Sequence, residues 1–256
     1  MGTYTYDQTW QDERERLAGI ERLWDDGTCA LLERLGVGPG SSVAEVGAGG
    51  GSVVEWLRDR VGPQGRVLAT DLYAKFVEPL AGGSVEVREH DILASPLPVG
   101  EFDVVHTRLL VEHVGPGALA NLCAGVRPGG VLLVEDYDFV SRGAHPDDPA
   151  VARIVDAVLE LMGSLGFDRE CGRKLPSLLD GLGLVDVQAE GRVKLVRSGT
   201  PDTAFFKLSV VTLRDTLVGN GQITAAEVDT ALERMDAPGS IILSPVLVAC
   251  WGRRPA

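Results

Sequence analysis

Hydrophobic residues in the central part of the chain occur in short runs that alternate with segments of helical spacing. The apolar runs lie at residues 42–46, 66–70, 84–87, 102–106 and 130–135, and the helical segments at 51–61, 73–80 and 117–126. Short runs rich in Val, apolar on both faces and joined by helices, are typical of a parallel sheet covered on both sides. The pattern therefore predicts an α/β domain.

The two ends of the chain are predicted to be mostly helical. Apolar residues recur at helical spacing up to residue 26, and a second short helix at residues 29–35 ends at several glycines. A loop-rich boundary lies at residues 141–149. Beyond it the spacing predicts helices at 149–163, 173–182, 203–218 and 224–235, and strands at 184–196 and 240–251. The last two helices would form an insertion between the last two strands.

Charge and cysteine spacing limit the classes of partner. The 256 residues include 24 Lys and Arg and 37 Asp and Glu, for a net charge of −13. Nucleic acids and anionic membranes need clustered basic residues, so this balance argues against both. The cysteines at positions 29, 123, 171 and 250 show no metal or disulfide spacing, and the first twelve residues are too polar for a secretory signal. We expect a cytoplasmic protein that acts on a small molecule.

The strongest functional signal is a glycine-rich loop directly after the first predicted strand. Glu45 lies in the strand, Gly47, Gly49 and Gly51 alternate with other residues, and a helix follows at once. Glycines permit a tight turn and a close approach of backbone amides to a ligand. The helix N-terminus then favours an anionic group. The loop therefore predicts a site for a nucleotide-like cofactor.

The spacing of the loop distinguishes between cofactors. A dinucleotide fingerprint would need glycine where the chain has Ser52 or Val54, which argues against an NAD-dependent oxidoreductase. The acidic-x-G-x-G-x-G pattern of residues 45–51 instead resembles motif I of the class I S-adenosylmethionine-dependent methyltransferases. The resemblance is to the small-molecule branch that includes ubiquinone and menaquinone biosynthesis. Glu45 replaces the Asp that is frequent in this family and keeps its charge.

Further motifs follow in the order of that family. Asp71 ends the second strand, 20 residues after Gly51, where a carboxylate can accept hydrogen bonds from both ribose hydroxyls. An Asp at a strand end can also cap the next helix. The resemblance implies that Asp91 accepts from the adenine amine and Ile92 donates its backbone N–H to the ring. It also assigns to the cofactor site Ala48, Leu72, Thr107 and Arg108.

The resemblance implies a Rossmann-like, seven-stranded, mostly parallel sheet with helices on both faces and an antiparallel last strand. Since strands come from both the middle and the end of the chain, we expect one domain over residues 1–256. It would comprise an N-terminal helical cap (1–40), a cofactor-binding core (41–140) and a helical lid (200–238). Tyr4, Tyr6 and Trp10 would either fold over the cofactor or pack the first helix onto the sheet. The lid could also serve as the surface of a homodimer.

Catalytic candidates must lie at the carboxyl ends of the strands, where open α/β sheets bind ligands. His113 follows the fourth strand, and Asp136 and Tyr137 follow the fifth, between Glu135 and Asp138. We select His113, Asp136 and Tyr137 as the groups that could orient an acceptor or take up a proton. His113 could equally cap a short helix. The carboxylates could hold Mg²⁺, but without a second ligand group no metal is predicted.

The sequence thus favours methyl transfer from S-adenosylmethionine to a small organic, natural-product-like acceptor. One alternative keeps the same cofactor but catalyses a non-methylating step or acts as a binding module, because cofactor motifs do not determine the reaction. Methyl-labelled cofactor would distinguish these two hypotheses. NADH binding would instead revive the oxidoreductase hypothesis.

Overall fold

The computed structural model describes residues 12–256 and contains ten strands. They are β1 (Ser42–Val46), β2 (Arg66–Asp71), β3 (Val85–Glu89), β4 (Phe102–Arg108), β5 (Val126–Asp138), β6 (Gly143–His145), β7 (Val185–Arg192), β8 (Leu195–Arg197), β9 (Ile241–Leu243) and β10 (Val246–Arg253). Seven of them form one sheet in the order β3-β2-β1-β4-β5-β10-β7. The first five in this order pair in parallel, and β10 is antiparallel to both neighbours. The predicted α/β sheet with an antiparallel last strand is confirmed.

Eight helices accompany the strands in the described residues. They are α1 (Glu13–Arg34), α2 (Ser52–Val61), α3 (Val111–Val114), α4 (Ala118–Gly125), α5 (Pro149–Ser164), α6 (Cys171–Gly181), α7 (Ala204–Gly219) and α8 (Ala225–Asp236). One apolar cluster joins α2 and the end of α1 to the sheet, and another joins α3, α4 and α6 to it. Buried Val43, Ala44 and Val46 of β1 explain why this strand reads as apolar on both faces.

The N-terminal prediction of two helices is wrong, because α1 is continuous. Its buried stripe, which includes Leu17, Trp24 and Leu31, runs through Gly27 without a break. Tertiary packing of an amphipathic face thus outweighs the glycine in the middle of the helix. Tyr4, Tyr6 and Trp10 lie outside the described residues.

The helix predicted at residues 73–80 is also wrong. The structure has two short 3₁₀ turns, Ala74–Phe76 and Glu78–Leu80, and Pro79 in the second has no N–H to continue a helical ladder.

The predicted strands at 184–196 and 240–251 each divide into two. The first predicted strand becomes β7 and β8, and the second becomes β9 and β10. Strands β8 and β9 pair with each other and, through β9, with β6 from the loop-rich boundary, in a separate antiparallel sheet of order β6-β9-β8. The two predicted strands leave the main sheet at the same place, where the Ser244 N–H donates to the Lys194 carbonyl at 3.0 Å. Pro245 follows and cannot donate to a ladder.

The late helices are inserted between two sheet strands, as predicted. Helices α7 and α8 lie between β7 and β10 in the chain and pack against α1 and α5. They therefore cover the carboxyl ends of β4 and β5. Across residues 12–256, no helix combines the length and apolar character needed to cross a bilayer.

Candidate active site

A cavity of about 130 Å³ lies at the carboxyl ends of β1, β2 and β4, and we call it the glycine-loop cavity. Its wall is formed by residues 45–50, by the ends of the neighbouring strands, and by one face of α1. In the loop, Gly47 (φ 73°) and Gly49 (φ 55°) have left-handed backbones. The N–H groups of Gly47 and Ala48 both donate to the Thr70 carbonyl, at 2.8 and 3.0 Å. Glycine is thus required for this turn.

Asp71 connects the loop to the end of β2. Its Oδ2 accepts a hydrogen bond from the Gly49 N–H at 2.9 Å, and its Oδ1 accepts from the Tyr73 N–H at 3.0 Å. The residue is 8% exposed and lines the cavity. The carboxylate therefore lies where a ligand in the cavity can reach it.

Asp91 and Ile92, which follow β3, form another part of the wall. The Asp91 carboxylate accepts from the Leu93 N–H at 2.9 Å, and the Asn121 amide donates to the Ile92 carbonyl at 2.7 Å. Both bonds hold the segment after β3 in place beside the cavity. The buried Ile92 side chain adds an apolar surface there.

The structure brings most of the predicted cofactor residues together. The cavity wall contains Glu45, Gly47, Ala48, Gly49, Asp71, Leu72, Asp91, Ile92 and Arg108. Two predicted residues are absent from this wall as the structure describes it. Gly51 is the N-cap residue directly before α2, where an added Cβ would lie 2.8 Å from the Leu80 side chain. Thr107 donates its hydroxyl to the Val46 carbonyl at 2.7 Å and joins β4 to β1.

Behind the wall lies a buried network of charges that we call the His106 network. His106 Nδ1 is 2.5 Å from Glu45 Oε2, and its Nε2 is 3.3 Å from Glu135 Oε2. Glu135 also accepts from the Thr28 hydroxyl at 2.5 Å and pairs with Arg192. Burial alone would lower the pKa of His106, but the charges of Glu45 and Glu135 outweigh it and hold the pKa at about 9. His106 is therefore a cation at neutral pH.

Arg108 extends the His106 network to α1. Its guanidinium donates to the Thr28 hydroxyl at 3.0 Å and to Asp25 at 2.8 Å. Since Glu45 and Arg108 both line the cavity, the network connects the cavity wall to α1 and, through Arg192, to β7.

A second cavity of about 130 Å³ lies beside the first, between α1, α5, α7 and the segments after β4 and β5. We call it the aromatic chamber, because its wall includes Tyr137, Phe139, Phe167, Phe205 and Phe206. The rings of Phe139 and Phe167 lie edge to face with centroids 5.9 Å apart, and those of Phe205 and Phe206 at 5.1 Å.

Ile20, Leu109 and His113 line both cavities. Leu109 has a left-handed backbone (φ 55°), which costs a residue with a Cβ about 1–2 kcal/mol. Its N–H donates to the Glu135 carbonyl at 2.7 Å, which holds the strained residue in place. The junction of the two cavities is thus built on a strained turn after β4.

The three catalytic candidates have different environments. His113 lies at the junction, where burial and then the charge of Arg16 lower its pKa to about 3, so its ring is neutral. Tyr137 lines the aromatic chamber, and its hydroxyl accepts from Trp24 Nε1 at 2.8 Å. Asp136 points to the other face of the sheet, where the Cys171 thiol lies 3.8 Å from its Oδ2. Burial raises the pKa of Asp136 to about 8.

The two carboxylates that flank these candidates are both engaged. Glu135 belongs to the His106 network, and Asp138 pairs with Arg173, whose Nη2 lies at 2.7 Å. Within residues 12–256, no three His, Cys, Asp or Glu side chains are arranged to hold a metal ion.

Sequence reasoning missed several wall residues. Leu17, Ile20 and Glu21 reach the glycine-loop cavity from α1, and Glu112 lines the aromatic chamber. Leu17, Ile20 and Glu21 share one face by helical spacing, which was the available signal. Glu112 is adjacent to His113, and from the sequence alone a charged residue at this position is expected at the surface.

Comparison with known proteins agrees with this geometry. Residues 44–134 match the methyltransferase domain family. The chain is 30% identical over 161 residues to the ubiquinone/menaquinone biosynthesis C-methyltransferase UbiE of Hahella chejuensis, covering 57% of this chain and 61% of that protein. It is 27% identical over 200 residues to the methyltransferase str3 of Strobilurus tenacellus, covering 77% and 70%.

The fold is shared with a solved enzyme complex. Phosphoethanolamine N-methyltransferase 2 of Haemonchus contortus, bound to phosphomonomethylethanolamine and S-adenosylhomocysteine, superposes with a TM-score of 0.56 at 15% identity. The match covers 91% of this chain and 53% of that one. Residues 44–134 thus match the methyltransferase domain family, and the sheet has the strand order and the antiparallel strand of the class I S-adenosylmethionine-dependent methyltransferase fold. The chain spans about three fifths of the length of the UbiE relatives that it matches.

Proposed function

We propose that this protein transfers a methyl group from S-adenosylmethionine to a small organic acceptor. The observation that carries the proposal is the junction of the glycine-loop cavity with the aromatic chamber at Ile20, Leu109 and His113. Methyl transfer needs a donor and an acceptor held in line across a shared boundary, and such alignment supplies much of the rate enhancement.

The donor set of the glycine-loop cavity fits the cofactor. Asp71 offers carboxylate oxygens to a ribose diol, and Ile92 offers an apolar surface to adenine. Glu45 and Glu21 place acidic groups near the loop, and Glu21 Oε1 is buried without a hydrogen-bond partner among the described residues. Acidic groups suit the cationic ammonium of the methionyl end. When bound, the cofactor supplies a methyl group that is already activated by its sulfonium.

The side chains at the junction then orient the acceptor. A neutral His113 cannot repel the sulfonium, and Tyr137 contributes a rigid wall to the aromatic chamber. Asp136 faces away from both cavities, so in this proposal it supports α3 and does not contact the acceptor. A general base is needed only if the acceptor keeps its proton at neutral pH.

Two measurements test this function. Titration calorimetry should detect S-adenosylmethionine binding at tens of micromolar or tighter, and should detect no comparable binding of NADH. Mass spectrometry with methyl-labelled cofactor should then detect labelled product in a panel of small acceptors. Ring-bearing quinols belong in that panel, since relatives are named for ubiquinone and menaquinone biosynthesis. A folded protein that does not bind the cofactor contradicts the proposal, and binding without transfer to any acceptor favours the non-methylating alternative.

A further inference from the structure

The charged side chains in the wall of the aromatic chamber are compensated by their neighbours. Arg16 donates through Nε and Nη2 to the two carboxylate oxygens of Glu13, both at 2.7 Å. Arg142 donates to Asp156 at 2.7 Å. His113 is neutral because burial lowers its pKa. Among the described residues of its wall, the chamber thus presents no uncompensated positive charge to an anionic ligand, and no carboxylate beyond Glu112 to a cationic one.

Glu112 is the exception among these groups, because the hydrogen bonds between described residues engage only one of its oxygens. The side chain is 3% exposed, and its Oε2 accepts from the Tyr137 N–H at 2.9 Å. Its Oε1 lies 3.7 Å from His113 Nε2, beyond hydrogen-bond distance, and makes no hydrogen bond within residues 12–256. Burial, together with the nearby Asp136 carboxyl, raises the pKa of Glu112 well above its usual range. Both effects favour the protonated form of the carboxyl, which is the form that has an O–H group to donate.

We propose that the aromatic chamber binds an uncharged, ring-bearing acceptor and that Glu112 donates a hydrogen bond to an oxygen of that acceptor. This inference rests on the proposed function and specifies its substrate class. An ion in the chamber would be buried without a counter-charge, which is costly. An aromatic ring instead gains edge and face contacts with the phenylalanines, and a cavity of similar size in another protein holds a benzene ring. The hydrogen bond from Glu112 then favours an acceptor that carries an oxygen over a ring that has none.

Three compounds that share the naphthalene ring system and differ in their substituent test the substrate class. Binding of naphthol, naphthoate and naphthalene is measured at neutral pH with S-adenosylhomocysteine present, by titration calorimetry or by quenching of naphthalene-ring fluorescence. We expect naphthol to bind about tenfold tighter than either of the other two. Naphthoate that binds as tightly as naphthol, or naphthol that does not bind up to its solubility limit, would overturn the proposal.

Two substitutions at one position test the role of Glu112. Glu112→Gln keeps an acceptor for the Tyr137 N–H and an N–H to donate, so naphthol affinity should stay within about threefold. Glu112→Leu removes the donor and should weaken naphthol about tenfold while leaving naphthalene unchanged. The exposed Glu160→Gln serves as the matched control. If Glu112→Gln loses as much naphthol affinity as Glu112→Leu, a carboxylate is required and the proposal is wrong. If Glu112→Leu does not fold, the comparison of wild type with Glu112→Gln decides.

These outcomes separate the inference from the proposed function. A naphthol preference without label transfer to any acceptor overturns the methyltransferase proposal and leaves the specificity of the chamber intact. Label transfer to ring carboxylates in preference to neutral rings overturns the inference and leaves the methyltransferase proposal intact.

Discussion

The Asp71 carboxylate accepts hydrogen bonds from backbone N–H groups and also lines the glycine-loop cavity. It accepts hydrogen bonds from the N–H groups of Gly49 and Tyr73, which both line the glycine-loop cavity. The cap interpretation from the sequence is wrong, because the segment to be capped forms 3₁₀ turns instead of an α-helix and Asp71 is not the N-cap residue of the first turn. The carboxylate that orders the turn after β2 also faces the cavity.

We predict that Asp71→Asn weakens S-adenosylmethionine binding about tenfold or more, because a neutral amide offers fewer and weaker acceptor positions than a carboxylate. Titration calorimetry measures the change. Asp215→Asn, on the exposed side of α7, should bind the cofactor as wild type does. Unchanged affinity in Asp71→Asn would show that the ribose is held elsewhere.

The hydroxyl of Tyr137 predicts a stability effect. Tyr137→Phe leaves the Trp24 indole N–H without its acceptor inside the core, which should lower the free energy of unfolding by about 1–3 kcal/mol. Urea denaturation measures this change. Tyr73→Phe, at a side chain that is 53% exposed, should change stability by less than about 0.5 kcal/mol. Equal effects of the two substitutions would contradict a buried hydrogen bond.

At the scale of elements, α1 connects the whole site. It lines both cavities, carries Thr28 and Asp25 of the His106 network, and packs against α7. Gly19 makes the last contact possible, because an added Cβ would lie 2.7 Å from the Phe205 nitrogen and 2.8 Å from the Phe205 Cβ.

Gly19→Ala should therefore destabilise the protein by about 1–3 kcal/mol, since the steric conflict with α7 exceeds the gain of about 1 kcal/mol in helix propensity. Gly163→Ala in α5 is the matched control, because nothing lies within 4 Å of its added Cβ. This control should stabilise by up to about 1 kcal/mol. Thermal or urea unfolding of both variants measures the difference, and two changes of the same sign would contradict the close packing of α1 on α7.

The elements also show where sequence reasoning succeeds. The strands and helices from β1 to β5 were predicted to within a few residues, apart from the 3₁₀ turns after β2, because burial on both faces leaves a strong local pattern. The separate sheet of β6, β8 and β9 was not predicted. Its strands have three residues each, and Lys194 and Ser244, which lie beside two of them, meet across the fold. Pairing between segments that are far apart in the chain leaves no hydrophobic periodicity in the sequence of either segment.

At the scale of the whole molecule, the His106 network joins four strands and α1 through groups that are far apart in the chain. His106 is faced by Glu45 and Glu135, and these are joined by Arg192, Arg108 and Asp25. Two acidic and two basic groups around one imidazolium, with Asp25 at the rim, give a compensated buried cluster. Such a cluster is stable only while each partner is charged.

The network predicts how stability depends on pH. The pKa of His106 rises from about 6.5 unfolded to about 9 folded, so its stabilisation is complete below pH 6.5 and is lost as pH rises to about 9. This loss amounts to roughly 3 kcal/mol in wild type and is absent in His106→Gln. Urea denaturation across that range gives both curves, with the exposed His145→Gln following wild type. A constant difference between wild type and His106→Gln would contradict the protonated state.

The sequence by itself determined the order of the strands and helices along the chain, the glycine loop, the position of Asp71 at the end of β2, and the helical insertion. These features depend on local periodicity and on spacing along the chain, which a single sequence displays directly. Only the tertiary structure decided that Asp136 faces away from the site, that a single Glu112 oxygen is hydrogen-bonded within the described part of the chain, and that His106 is a buried cation. Desolvation and charge depend on which distant groups surround a side chain, and the fold alone brings residues from α1, α3, β4, β5 and β7 together around the two cavities.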